Sequence, residues 1–292
     1  MGEPMYAKMA VVGCGLIGSS VIRAARARIV ELGLAEAVFE DAAEAVRDAD
    51  LVVFAVPVMS MGIAARAAAP GLKPGATVTD VGSVKEHVAD ALTAVLPDSA
   101  FVIPGHPIAG TEQSGPDAGF AELFQNRWTI LTPQARDDAA YREAVARLAA
   151  FWTALGARVE EMDAKHHDLV LAITSHLPHL IAYNIVGTAA DLEEVTQAEV
   201  MKYSAGGFRD FTRIAASDPT MWRDVFLTNK EAVLEVLGRF TEDLQALSRA
   251  IRWGEGDKLF ELFSRTREIR RGIVAMGQES AEPNFGRDRG KH

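Results

Sequence analysis

A chain of 292 residues that is 49% hydrophobic and 24% charged can bury two cores, which excludes an intrinsically disordered protein. Its formal net charge of −10 excludes a nucleic-acid binder held by a basic face. A single cysteine, Cys14, excludes an internal disulfide and points to a reducing, cytoplasmic setting.

No secretory signal is expected in MGEPMYAKMAVVG, and no apolar stretch is expected to reach the roughly 18 to 20 residues that span a membrane. Up to about Asp163 short apolar runs alternate with helical patterns. MAVVG (9–13), DLVVFAVP (50–57), ATVTDVGS (76–83), AFVIPG (100–105), WTILTP (128–133) and RVEEM (158–162) read as strands bounded by turn signals. Residues 17–33, 59–72, 84–96 and 139–156 carry spacing near 3.6 and read as helices. This alternation predicts a Rossmann-like α/β domain, a mostly parallel sheet covered by helices, over 1–163. After Asp163 the strand-like runs stop. Residues 165–192, 221–251 and 257–276 are long, amphipathic and helical, so 164–280 is predicted to be an all-α domain that packs against a second copy of the chain. The polar stretch 281–292 is predicted to be a flexible tail.

VVGCGLIGSS sets Gly13, Gly15 and Gly18 as G-x-G-x-x-G directly after a strand and at the start of a helix. The first glycine makes the tight turn, the second admits a pyrophosphate to the backbone, and the third allows close helix–sheet packing. Leu16 and Ile17 lie inside this loop, and the cofactor it implies is NAD or NADP. A dinucleotide fold also needs a second strand ending in Asp or Glu about 20 residues further on, to hold the adenosine ribose. Only AVFE (37–40) offers one, with Glu36, Glu40 and Asp41 as acidic candidates. About one strand–helix unit is missing around 27–40, and the choice between NAD and NADP is not legible.

PGHPIAGTEQSG (104–115) crowds prolines and glycines around His106, which predicts a fixed loop and leaves open whether His106 is a turn residue or a base offered to a substrate. Ser83, where DVGSVK meets a helix start, reads as an N-cap. Arg213 in DFTRIAASDP is a cation able to fork onto a carboxylate, or a surface arginine. SHLPHL places Ser175 and His179 on one helical face, four residues apart. His166, His167, His176 and His179 suggest zinc, but no cysteine joins them and the helical offsets do not gather three on one face, so no metal is expected. Met59 and Met61 read as core fillers.

VVGCGLIGSS, TDVGSVK, GHPIAGTEQSG, SHLPH and GGFRDFTRIAASDPTMWRDVF together resemble one family, the prephenate and arogenate (cyclohexadienyl) dehydrogenases of tyrosine biosynthesis. The resemblance spans nearly the whole chain and implies a nucleotide domain, a helical dimerisation domain and an active site in the cleft between them. It implies that His106 is the base for the substrate's 4-hydroxyl, and that Ser83 touches both this histidine and the nicotinamide ribose. By the same resemblance Arg213 holds the ring carboxylate, and His179, with Ser175 beside it, lies near the side-chain carboxylate. Thr111 and Glu112 line the site, Glu112 at its entry, and Trp222 closes the pocket near the dimer partner. Hydride would pass to NAD or NADP with loss of carbon dioxide. Two rival readings are a 3-hydroxyacid or imine-type dehydrogenase, which lacks the H-P-I-A-G and S-H-x-x-H pair, and a catalytically impaired sensor that only binds dinucleotide.

Overall fold

The computed structural model describes residues 5–13, 39–110, 120–191 and 206–275. They divide into two compact units, one reaching Val236 and the other starting at Leu237. In the first unit, β1 (Met9–Val12), β2 (Leu51–Phe54), β3 (Thr77–Asp80) and β4 (Phe101–Val102) form a parallel sheet in that order. β2 is apolar at every position because both of its faces are covered. Leu51 and Val53 enter one core with Tyr141, Leu148 and Trp152 of α4 (Ala139–Ala154). Val52 and Phe54 enter the other with Met61 and Ala65 of α2 (Met61–Ala68) and Val88 and Leu92 of α3 (Glu86–Thr93). Full burial of each such side chain stabilises the fold by about 1.5–3 kcal/mol.

The sheet departs from the sequence expectation in one way. β5 (Gly105–Pro107), β6 (Trp128–Leu131) and β7 (Arg158–Glu161) form a second, three-stranded sheet in which β5 runs antiparallel to β6. His106, expected in a loop, pairs with Ile130 on this short strand. Pro107 is compatible because β5 is an edge strand among the described residues, where a missing N–H costs no ladder bond.

Aspartates start several helices. Asp41 caps α1 (Ala42–Ala45) through Glu44 N–H at 3.0 Å, Asp138 caps α4, and Asp163 caps α5 (Ala164–Leu171) through His166 N–H at 3.1 Å. Asp41, an acidic candidate for the ribose, is thus occupied as a helix cap. AVFE lies largely outside the described residues, as does Glu36. Among the described residues β1 is the edge of its sheet, with no strand beyond it.

A single turn of π-helix (Ala172–His176) joins α5 to α6 (Leu177–Ala190). Contrary to expectation, the continuous helical run Ala164–Ala190 is long and apolar enough, by length and composition, to cross a membrane. Four histidines and Asp168 punctuate it, and three of these, His167, Asp168 and His176, are buried inside the first unit. α7 (Gly206–Thr212), a 3-10 turn at Arg213–Ala216 and α8 (Pro219–Thr228) follow. The expected helix over 221–251 is two, because α8 ends at Asn229 and α9 (Lys230–Arg252) begins after it. Trp222 and Val225 of α8 join the core that holds α2 and α3. Met61 is a core residue as expected, but Met59 is 50% exposed.

In the second unit, Gly254 at φ +66° turns the chain between the end of α9 and α10 (Gly256–Ala275). Ile251, Trp253, Phe260, Phe263 and Ile269 are exposed there. Such an apolar surface is unusual for a face that meets only water.

Candidate active site

β1 ends at Gly13, whose φ of +103° favours glycine and whose added Cβ would lie 2.6 Å from the Ala55 carbonyl oxygen. Gly13 thus has the positive φ and close backbone approach expected of the first glycine in a dinucleotide loop. Gly15, Leu16, Ile17 and Gly18 lie outside the described residues, as do Thr111 and Glu112.

His106 on β5 is 8% exposed, and its ring meets that of His167 in α5. Its Nδ1 is 2.9 Å from Nε2 of His167, and Nδ1 of His167 is 2.7 Å from Oδ1 of Asp168. Asp168 also accepts from the backbone N–H groups of Lys85 (2.7 Å) and Glu86 (3.0 Å) at the start of α3. Its two oxygens thus face two backbone donors at the positive end of a helix. An ionised carboxylate only accepts, so His167 carries its proton on Nδ1 and presents a lone pair at Nε2. His106 must then donate from Nδ1, which leaves its own Nε2 as an open lone pair. Burial holds the His106 pKa well below the ordinary value, and the charges of His167, Lys85 and His176 act in the same direction. The arrangement is a neutral imidazole with its tautomer fixed and a lone pair at Nε2 able to accept a proton.

Behind this chain, Asn229 donates from Nδ2 to the Asp168 carbonyl (2.8 Å) and to His176 Nδ1 (3.1 Å). His176 is fully buried, and burial lowers its pKa to about 4. His179 donates from Nδ1 to the Ser175 carbonyl at 2.8 Å, so these two residues share a helical face as expected, although the contact uses the backbone of Ser175. Trp222 is 6% exposed and stacks on His179 with ring centroids 3.6 Å apart and planes 23° apart. Burial lowers the His179 pKa, the Ser175 carbonyl opposes this, and the positive charge of Arg213 lowers it further. Exposed Arg213 therefore lies within electrostatic reach of His179.

Ser83 is not the N-cap of α3. The helix starts at Glu86, and its first N–H groups are capped from a distance by Asp168, a longer-range partner that supplies a full negative charge. Nor does Ser83 take Nδ1 of His106, which belongs to His167. Among the described residues no group of three His, Cys, Asp or Glu side chains is gathered for a metal ion.

Residues 10–161 match the model for the prephenate dehydrogenase nucleotide-binding domain, and residues 163–265 match that for the prephenate dehydrogenase dimerisation domain. The chain belongs to the prephenate dehydrogenase family. It is an NAD(P)-linked oxidoreductase of that family, with a Rossmann-like domain followed by a helical one. It is 45% identical to the cyclohexadienyl dehydrogenase of Zymomonas mobilis, over 91% of this chain and 96% of that protein. Against the prephenate dehydrogenase of Bacillus subtilis identity is 32%, over 94% and 78% of the two chains. The crystal structure of the Aquifex aeolicus prephenate dehydrogenase in complex with hydroxyphenyl propionate and NAD+ superposes with a TM-score of 0.81 at 31% identity, covering 91% of this chain and 98% of that one.

Within this family member, His167, Asp168, Lys85, Asp80, His176 and Asn229 form the hydrogen-bonded surroundings of His106, a placement the sequence alone does not assign. His167 and His176 were weighed only as zinc ligands. The available signal was the contiguous His167–Asp168 pair just after a helix start, which can place an imidazole and a carboxylate side by side.

Neutral burial of these histidines makes stability pH-dependent. A group whose folded pKa is depressed leaves stability intact above its unfolded pKa and withdraws it as pH falls toward the folded value. For His176 that window runs from about 6.5 down to about 4. Over it the histidine withdraws stability on the order of 3 kcal/mol. Urea unfolding followed from pH 7 to pH 4 should show a fall that is shallower in His176→Gln. An identical slope in the variant contradicts this account of His176.

Proposed function

We propose that this enzyme oxidatively decarboxylates prephenate, arogenate or both, with His106 as the general base. The observation that carries the assignment is the hydrogen-bonded chain Asp168–His167–His106, which leaves Nε2 of His106 as a lone pair. Bound NAD+ or NADP+ would accept the hydride from the carbinol carbon. His106 would take the proton of the hydroxyl on that carbon, and the imidazolium so formed would be stabilised through His167 by the Asp168 carboxylate. With the carbinol oxidised to a carbonyl, the bond to the ring carboxylate breaks and its electron pair aromatises the ring. His106 can then return its proton to the phenolate oxygen as carbon dioxide leaves. A purely dinucleotide-binding sensor would have no need of a base held in one tautomer.

In this reading Arg213 receives the ring carboxylate, and His179, with Ser175 beside it and Trp222 fixing its ring, lies near the side-chain carboxylate. Thr111 and Glu112 would line the entry. Ser83, half-buried in the turn after β3, would meet the nicotinamide ribose, and the loop Gly13–Gly18 would hold the pyrophosphate. The division of labour falls near residue 163, with substrate groups drawn mainly from 164–280. A homodimer in the cytoplasm is part of the same proposal, and the match of 163–265 to a dimerisation domain supports the pairing.

Nitrogen-15 NMR of the imidazoles tests the tautomer. His106 should show a protonated Nδ1 and an unprotonated Nε2 at neutral pH; the opposite pattern removes the base. Arg213→Ala should raise KM for the carboxylate substrate by about ten- to a hundredfold, since a charge-assisted hydrogen bond is worth about 1.5–3 kcal/mol. Arg213→Lys should recover only part, because an ammonium lacks the planar fork. An unchanged KM in Arg213→Ala assigns the carboxylate to another group.

A further inference from the structure

Asp80 and Lys85 form an ion pair with both side chains fully buried. A buried pair of this kind is weak evidence for stability, because desolvation offsets most of the attraction. Its other contacts converge on one residue. Oδ1 of Asp80 accepts from the N–H of Gly105 at 3.0 Å, and Nζ of Lys85 donates to the carbonyl of Gly105 at 2.7 Å. Both main-chain polar groups of the residue before His106 are therefore held by one ion pair. Oδ2 of Asp80 also accepts from Gly82 N–H at 2.7 Å, which ties the turn after β3 to the same carboxylate. Gly105 sits so close to β3 that an added Cβ would meet Thr79 Oγ1 at 3.0 Å and the Asp80 carbonyl at 3.2 Å. Three residues of an edge strand would be a soft support for a base, since few ladder bonds hold them. The backbone N–H of Lys85 meets Asp168, so the residue bonds to one end of the Asp168–His167–His106 chain and to Gly105, the neighbour of the other end.

We propose that Lys85, paired with Asp80, is a positioning residue for His106, clamping Gly105 so that the imidazole keeps its register with His167 and with the substrate. The proposal rests on His106 being the base. The charged and titratable groups facing His106 are His167, His176 and Lys85, with Asp168 behind His167 and Asp80 behind Lys85. Of these, the Lys85 ammonium opposes protonation of His106, so its removal should move the acidic limb of the kcat/KM profile to higher pH.

Removing one partner alone would strand a buried charge, so the test uses both. Lys85→Met combined with Asp80→Asn removes both charges while leaving an amide oxygen for one of the two backbone donors. Circular dichroism and dinucleotide titration establish that the variant folds. The expected result is a kcat lower by about ten- to a hundredfold, with KM for both reactants within about threefold, and an acidic limb shifted upward. Lys85→Gln with Asp80→Asn restores a donor to the Gly105 carbonyl and should recover part of kcat. A folded double variant with unchanged kcat and an unchanged pH profile overturns the proposal, as does a loss confined to KM. His106→Asn separates the two readings. If it is inactive while the double variant is normal, only the clamp is wrong; if it is active, the base assignment fails and the clamp with it.

Discussion

His106→Asn is expected to lower kcat by about 10²- to 10⁴-fold while the protein stays folded and binds dinucleotide as before, the usual share of a general base. Asparagine can still donate from its amide toward His167, so the hydrogen bond behind the ring has a replacement. It has no lone pair basic enough to hold a proton. Steady-state turnover with either substrate, beside calorimetric titration of the dinucleotide, checks this. Near-normal turnover would move the base elsewhere.

The second large effect belongs to Asp168→Asn. The carboxylate both fixes the proton of His167 on Nδ1 and supplies the negative charge that balances an imidazolium at His106. An amide removes that charge in either orientation. Turned with its nitrogen toward His167, it also forces the proton of His167 onto Nε2. His106 would then accept at Nδ1 and hold its proton on Nε2, the wrong nitrogen for a base. Removing the acid that orients a catalytic histidine costs up to about 10⁴ in kcat in a serine protease, and a loss of about 10² or more is expected here. KM should change little, because Asp168 is buried behind two imidazoles and does not face the substrate. A tenfold rise in KM with unchanged kcat would show that Asp168 acts on binding. The two changes should not add: His106→Asn with Asp168→Asn should be about as slow as His106→Asn alone, since both act on one proton transfer.

Much of the fold was legible because local rules and burial agreed. LVVF at 51–54 is apolar at every position, which only a strand covered on both faces requires, and Gly13 stands where the turn after β1 needs a positive φ. Asp138, Asp163 and Asp218 cap the starts of α4, α5 and α8, local signals that the sequence carries. The loop around His106 was misread because proline and glycine forbid an interior strand but permit a three-residue edge strand. That distinction depends on which strand lies beside it, here β6. Ser83 was read as a local cap, whereas the start of α3 is capped by Asp168, more than eighty residues away in sequence. Long-range pairs of this kind leave no spacing signature. The same reason hid His167, whose role exists only because the fold brings it to His106, and the Asp80–Lys85 clamp, whose target Gly105 lies on another strand. The substrate roles proposed for Arg213, His179 and Trp222 rest on family resemblance; the residues alone leave each with an ordinary structural reading.

The central claim is a single reaction in which oxidation at the carbinol carbon is coupled to decarboxylation. Purified protein should be mixed with prephenate and with arogenate, each against NAD+ and NADP+, while reduced nicotinamide is read at 340 nm and carbon dioxide and aromatic product are quantified together. Equimolar reduced nicotinamide, carbon dioxide and phenolic product in at least one of the four mixtures, abolished in His106→Asn, is the result this account predicts. Reduced nicotinamide without carbon dioxide, or no turnover in any mixture by a folded, dinucleotide-binding protein, would contradict it.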